Sequence, residues 1–105
     1  MRYLLDTGIL LRLTNRNAAN HLQVRQAIGT LKRQGHIVVT SLQNLSEFWN
    51  VCTRPVEARG GLGLTHEEAL RRLRTIERIA ALLPDSPETH ARWKSLVIAH
   101  QIRGV

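Results

Sequence analysis

Hydrophobic and polar positions along the chain predict short buried strands separated by amphipathic helices. An apolar run at residues 3–5 is stopped by Asp6-Thr7-Gly8, which is typical of a buried strand reaching a turn. Residues 36–40 are apolar and β-branched, which favours a second buried strand. A third, very short strand is predicted at residues 81–83, just before Pro84.

Apolar residues at helical spacing fill the segments between these strands. Thr40, three residues before Gln43, predicts one helix start by capping-box spacing, and Thr65 with Glu68 predicts another. Ser86 followed by Pro87 predicts the start of the last helix, and Gly104 its C-cap. The predicted helices cover residues 9–13, 18–34, 40–54, 65–80 and 87–103.

Strands alternating with helices indicate an α/β domain with a parallel sheet. The 105 residues contain no repeat and no linker, so we expect one domain over residues 1–105. Such a chain buries roughly 60–70% of its unfolded surface. The single cysteine, Cys52, excludes an internal disulfide and a cysteine-based zinc site. No apolar run approaches the roughly 18–20 residues that span a bilayer, and the first residues do not resemble a signal peptide. We therefore expect a cytoplasmic protein that does not associate with membranes.

Two acidic residues are candidates for chemistry. Asp6 follows the first strand, at the sheet edge where ligands of parallel sheets gather; it either binds a hard divalent cation beside the Thr7 hydroxyl or merely caps the next helix. Glu47 lies on the helix after the second strand, opposite its apolar stripe and on one face with Gln43 and Asn50. That face is either solvated or borders Asp6, with the amides orienting the carboxylate. Spacing alone leaves both alternatives open.

Basic residues dominate the charge, with 15 Lys and Arg against 8 Asp and Glu and a net charge of +7, which favours a polyanionic partner. The candidate phosphate contacts lie in the Gly-containing loop and on the helix after it: Arg54, Arg59, Arg71, Arg72, Arg74 and Arg78. Alternatively this is an ordinary solvated face, since Glu67 and Glu68 stand four residues before two of these arginines in the favourable ion-pair order. The loop over residues 54–64 reads as a flexible connector, because Gly60-Gly61-Leu62-Gly63 lacks the context of a phosphate loop.

Two segments resemble the PIN-domain family. Residues 1–11, MRYLLDTGILL, are similar to the opening of PIN domains, where a short strand delivers an acidic residue followed by Thr or Ser. Residues 38–51, VVTSLQNLSEFWNV, are similar to its second motif, with a glutamate on the helix. Residues 61–69 and 82–85 also resemble VapC-like members, the toxins of type II toxin–antitoxin pairs, so that the resemblance spans the chain.

This resemblance implies a three-layer α/β/α fold and a metal-dependent endoribonuclease that hydrolyses RNA phosphodiester bonds. It makes Asp6 a direct ligand of Mg²⁺ or Mn²⁺, Glu47 the second acidic residue and Thr7 a helper. It also implies an RNA substrate, a cognate antitoxin protein and a homo-oligomer, in the simplest case a dimer.

The family's third acidic residue, in a His-Asp-Ala-like motif, and its fourth strand are expected only after a helix ending like residues 102–105. The domain is therefore expected to be incomplete at its C-terminus, with an exposed edge at its first strand that invites self-association. Asp85 and Glu88 follow the third strand, at the far edge, and are not expected to substitute. Two carboxylates give little charge for Mg²⁺. A catalytically inactive module that binds antitoxin or RNA, and a generic basic nucleic-acid-binding domain, are the alternatives.

Overall fold

A computed structural model of the chain describes residues 1–84, 87–101 and 103. It contains an α/β fold with a short parallel sheet, which confirms the predicted fold class. The elements, in chain order, are β1 (Arg2–Leu4), α1 (Thr7–Thr14), α2 (His21–Arg33), β2 (Ile37–Ser41), α3 (Leu42–Thr53), α4 (His66–Ile79), β3 (Ala81–Leu83) and α5 (Pro87–Ala99).

The sheet has three parallel strands in the order β1-β2-β3, so β2 is central and β1 forms an edge. Tyr3 pairs with Val38, and Thr40 pairs with Leu82. Since the strands are parallel, their carboxyl ends share one edge of the sheet. The residues that follow β1 and β2, and the helices α1 and α3 that begin there, are therefore neighbours.

The core lies between the sheet and helices α1 to α4. Helix α1 contacts α2, α3 and α4, and α2 and α3 both contact β2. Phe48, Leu10 and Ile76 are fully buried there, and Cys52 is buried with them. The described side chains of α5 are exposed, apart from the half-buried Val97.

The helical spacing of the apolar residues predicts that Leu42 of α3 and Leu70 of α4 face inward, but both are exposed. Leu42, on the first turn of α3, is 57% exposed, and Leu70 of α4 is 39% exposed. Ala69, beside Leu70, is fully buried. Ile76 and Ala80 are buried and Leu73 and Ile79 half-buried, so periodicity predicted the inward face of α4 correctly apart from Leu70.

The predicted start of α3 is wrong by one residue. Ser41, not Thr40, is the N-cap, and its Oγ accepts a hydrogen bond from the Asn44 backbone N–H at 3.2 Å. Thr40 remains in β2, where its hydroxyl donates to the Leu5 carbonyl oxygen at 3.1 Å. The capping box of α4 is confirmed, with Thr65 and Glu68 satisfying each other's backbone N–H.

Backbone hydrogen bonds hold the loop between α3 and α4 against the end of α3, so this loop is not the flexible connector that the sequence predicts. The N–H groups of Leu62, Gly63 and Leu64 donate to the carbonyls of Val51, Arg54 and Cys52 at 2.9, 2.8 and 2.8 Å. Gly61 packs against the backbone here; an added Cβ would overlap the Pro55 carbonyl oxygen and lie 2.5 Å from that of Arg54. The glycine is thus required by close packing.

The predicted caps Ser86 and Gly104, and the late acid Asp85, lie outside the described residues. Glu88 is in the first turn of α5, after β3, and its side chain is exposed. Within the described part of the chain, no helix combines the length and the apolar character needed to cross a membrane.

Candidate functional site

Asp6 lies directly after β1 and is the N-cap of α1. Its backbone is extended, with φ −79° and ψ 174°, and its Oδ1 accepts a hydrogen bond from the Ile9 backbone N–H at 3.0 Å. The capping alternative raised by the sequence is therefore real. It uses one carboxylate oxygen, however, and Oδ2 has no hydrogen bond to any described residue. The exposed side chain retains an oxygen with which to bind a ligand.

Glu47 is linked to α1 through Thr7, the residue next to Asp6. The Thr7 hydroxyl donates to Glu47 Oε2 at 2.7 Å, a short charge-assisted hydrogen bond. The Gln43 amide Nε2 donates to the other oxygen, Oε1, at 3.3 Å. Both carboxylate oxygens are thus oriented, and the structure brings Asp6, Thr7, Gln43 and Glu47 together at one edge of the sheet.

Of the two amide side chains predicted to orient Glu47, Gln43 contacts it and Asn50 does not. Asn50 makes no hydrogen bond with Glu47 among the described residues; it lines a separate shallow groove beside Trp49. Asn44, which the sequence analysis did not single out, has its Oδ1 3.3 Å from the Thr7 hydroxyl. Asn44 lies on the first turn of α3 and faces the start of α1. This proximity could be recognised only once β1 and β2 were placed side by side.

The strand pairing explains why these groups meet. The Leu5 backbone N–H donates to the Val39 carbonyl at 2.7 Å, and the Leu5 carbonyl accepts from the buried Thr40 hydroxyl. Leu5 is thus fixed on β2 from both its N–H and its C=O, which sets where Asp6 leaves the sheet. Ser41 starts α3 one residue after Thr40, so Glu47 is placed by the same strand.

The donor set consists of oxygen atoms, which suits a hard divalent cation. Mg²⁺ in phosphate-processing sites is usually held by one or two protein carboxylates, with water and substrate phosphates completing the octahedron. Asp6 and Glu47 can supply two such carboxylates. The described residues contain no group of three or more His, Cys, Asp or Glu placed to share an ion, so a metal here depends on this pair.

The candidate arginines divide into two groups. Arg71, Arg72 and Arg78 line an open cavity of about 880 Å³ between α1, α2 and α4. Arg74 does not line it, and Arg54 donates to the Arg59 carbonyl at 3.3 Å in the loop after α3. Sequence reasoning missed further lining residues contributed by another part of the chain, namely Arg16, His21 and Arg25.

The ion pairs predicted on α4 are absent. Among the described residues, neither Glu67 nor Glu68 lies within salt-bridge distance of Arg71 or Arg72, because Glu68 turns back to cap Thr65. Arg72 is half-buried, and its Nη1 is fully buried without a hydrogen-bond partner. The arginines that line this cavity therefore outnumber its one acidic lining residue, Glu68.

Together, the parallel sheet, the helices that pack on it and the exposed carboxylate pair at its carboxyl edge define a small α/β protein with an acidic site. The PIN domain family model matches residues 3–105. The chain belongs to the PIN domain family, and that match covers both acidic residues.

The fold is also similar to a solved structure, the VapC20 toxin of Mycobacterium tuberculosis, described as a sarcin-ricin loop cleaving toxin. The two share 18% sequence identity with a TM-score of 0.59, over 100% of this chain and 73% of the other. At this identity the likeness establishes a common fold. No curated protein matches the sequence significantly.

Proposed function

We propose that this protein is a metal-dependent endoribonuclease of the VapC type. The observation that carries the proposal is the 2.7 Å hydrogen bond from Thr7 to Glu47, which holds Glu47 against the residue next to Asp6 at the carboxyl edge of the sheet of a PIN domain. VapC20, which shares the fold, is described as a sarcin-ricin loop cleaving toxin. The net charge of +7 supports a polyanionic substrate.

Asp6 and Glu47 are the residues proposed to hold Mg²⁺ or Mn²⁺. The ion, when bound, supplies an activated water and charge stabilisation for in-line hydrolysis of a phosphodiester. Thr7 and Gln43 act through Glu47: by donating to its two oxygens they limit the rotation of the carboxylate. Asp6 is oriented by its cap to Ile9.

A site with two carboxylates binds Mg²⁺ weakly unless a phosphate oxygen completes the coordination. The proposed site therefore assembles with its substrate, and metal affinity and RNA affinity should each rise when the other ligand is present. The exposure of both carboxylates is consistent with this, because an RNA strand can reach them without any opening of the fold.

The proposed partners are RNA, a cognate antitoxin protein and a second copy of the chain, in a cytoplasmic setting. Strand β1, with three residues at the edge of the sheet, leaves backbone N–H and C=O groups that a second chain can pair with.

Cleavage of RNA with Mg²⁺ or Mn²⁺, set against an EDTA control, tests the proposal. Asp6→Asn and Glu47→Gln should each abolish cleavage, since each removes a charged ligand while preserving shape. Glu77→Gln, an exposed substitution of the same chemistry on α4, is the matched control and should leave cleavage unchanged. Cleavage that persists in Asp6→Asn would refute the site, and purified wild-type protein that binds RNA without cutting it would establish the inactive alternative.

A further inference from the structure

A second feature of the molecule lies at the other end of α1 from the carboxylates. The open cavity between α1, α2 and α4, of about 880 Å³, is lined by five arginines and one histidine: Arg16, Arg25, Arg71, Arg72, Arg78 and His21. Asp6 caps the N-terminus of α1, whereas Leu13 and Thr14, at its C-terminus, line the cavity. At 1.5 Å per residue, the two sites are about 10 Å apart along the helix.

Within the described part of the chain, the positive charge of this cavity far exceeds its negative charge, since five arginines line it against one carboxylate. Glu68 is its one acidic lining residue, and the Glu68 carboxylate accepts from the Thr65 backbone N–H instead of an arginine. Residues 7–46, which supply α1 and α2, contain no Asp or Glu. Arg72 Nη1 is buried without an acceptor. Because this nitrogen is itself buried, an anion in the cavity would interact with the charge of the Arg72 guanidinium rather than bond to Nη1.

Several polar groups of the cavity are already oriented. The Thr75 hydroxyl accepts from Arg78 Nη2 at 3.3 Å, which directs that guanidinium. The His21 Nδ1 is 2.7 Å from the Arg12 carbonyl oxygen, and because a carbonyl only accepts, Nδ1 carries the proton. These contacts limit the motion of the lining side chains, so that less rotamer freedom is lost on binding.

We infer that this arginine cavity binds the phosphate backbone of RNA and anchors the substrate independently of the metal. The inference rests on the proposed function for the identity of the polyanion. Arginine forks pair bidentately with phosphate, and a strand lying along α1 would reach from the cavity to Asp6. An acidic protein segment fits less well, because protein interfaces are centred on accessible apolar residues. The apolar residues that line this cavity offer little such surface, since Leu13 is 93% buried and Leu64 and Ile79 are half-buried.

The test compares two triple variants that each remove three positive charges. The cavity variant carries Arg25→Gln, Arg71→Gln and Arg78→Gln, all exposed side chains, and spares the half-buried Arg72. The control variant carries Lys32→Gln, Arg33→Gln and Arg92→Gln, which are exposed and do not line the cavity. Binding of a short fluorescein-labelled oligouridylate is measured by anisotropy in EDTA, so that no cleavage occurs.

We expect the cavity variant to bind RNA at least about 10-fold more weakly than wild type at low salt, with the control close to wild type. Because each phosphate contact on a single strand contributes about 0.7 to the slope of log affinity against log salt, losing three contacts lowers the slope by about 2. The ratio of wild-type to variant affinity should therefore be largest at about 50 mM salt and shrink towards 1 as the salt is raised to about 200 mM.

Four results would overturn the inference. Equal losses in both triple variants would mean that net charge alone binds RNA, and no loss in the cavity variant would mean that the cavity does not. Competition by an acidic peptide that matches competition by unlabelled RNA would assign the cavity to a protein partner. Inorganic phosphate, added at matched ionic strength, should inhibit RNA binding strongly if the cavity is a discrete anion site and only weakly if it is a strand-binding surface. Strong inhibition therefore counts against the assignment to RNA backbone.

The binding assay is independent of the nuclease assay. Because EDTA keeps the divalent ion away from the acidic site, the RNA affinity measured in EDTA reports binding by the cavity and does not depend on cleavage. If wild-type protein binds through the cavity but never cleaves, the proposed function fails and the cavity stands. If the wild-type protein cleaves RNA and the cavity variant binds and cleaves RNA equally well, the cavity assignment fails and the proposed function stands.

Discussion

The hydroxyl of Thr40 is the contact on which the position of the acidic site most depends. Thr40 is 2% exposed in the central strand, and its Oγ1 donates to the carbonyl of Leu5, which is itself 5% exposed. Thr40→Val keeps the size of the side chain and removes the donor. The Leu5 carbonyl then loses a hydrogen bond in a place that water does not reach.

The expected cost follows from burial. Leaving a buried polar group without its partner costs about 1–3 kcal/mol, whereas the net value of an exchanged hydrogen bond is about 1 kcal/mol. We therefore expect Thr40→Val to lower the free energy of unfolding by about 1–2 kcal/mol. For a domain of this size, each 1 kcal/mol corresponds to a fall in Tm of about 4–8 °C, so Tm should fall by about 5–15 °C.

Thr40→Ser is the matched variant, because it keeps the hydroxyl and removes only a methyl group, at a cost of about 1 kcal/mol. The two variants can lose similar stability, and a second measurement separates them. Mn²⁺ binding by electron paramagnetic resonance should weaken in Thr40→Val, since Asp6 follows Leu5, and should be retained in Thr40→Ser. A Thr40→Val protein as stable as wild type, with unchanged Mn²⁺ binding, would refute the reasoning.

Three further outcomes are expected. Gly61→Ala should lower the free energy of unfolding, measured in urea, by about 1–3 kcal/mol, because the added Cβ meets backbone carbonyls. Gly29→Ala, in the interior of α2, should raise it by about 1 kcal/mol. Equal effects of the two substitutions would contradict the packing argument. Thr65→Ala should lower stability by about 1 kcal/mol through loss of the capping box, measured in the same way. Burial raises the pKa of the Cys52 thiol above its ordinary value of 9.0, with the Arg72 charge opposing in part. The unfolded thiol then ionises first as pH rises above 9.0, so stability should fall there, and less steeply in Cys52→Ala; identical pH profiles would exclude this contribution.

Element order and type were predictable because each helix has a strong local signal. The capping box at Thr65 and Glu68 is contained in four residues, and the structure confirms it. The choice between Thr40 and Ser41 as the cap of α3 is different, since both carry a hydroxyl. It is decided by the pairing of Thr40 with Leu82 and its bond to Leu5, which are contacts with distant residues.

The acidic site and the arginine cavity differ in the same way. Asp6 and Glu47 could be placed at one edge from strand order alone, because each follows a parallel strand at a fixed distance. The Thr7 bond to Glu47 required the actual rotation of α1 against α3. Arg16 and Arg25 line the same cavity as Arg71 and Arg78 because α1 packs against both α2 and α4, and no spacing within the sequence predicts this arrangement.

The position of the two sites at opposite ends of α1 has a consequence for the order of events on RNA. Two ionised carboxylates repel a phosphate backbone, so the acidic end has no affinity for RNA until a cation is present. The arginine end attracts RNA without a cation. Binding would therefore precede metal capture, and the phosphate delivered beside Asp6 would supply the ligand that a two-carboxylate site lacks. On this reasoning the cavity compensates for the small number of carboxylates, and its loss should raise the Mg²⁺ concentration needed for half-maximal cleavage as well as weaken RNA binding.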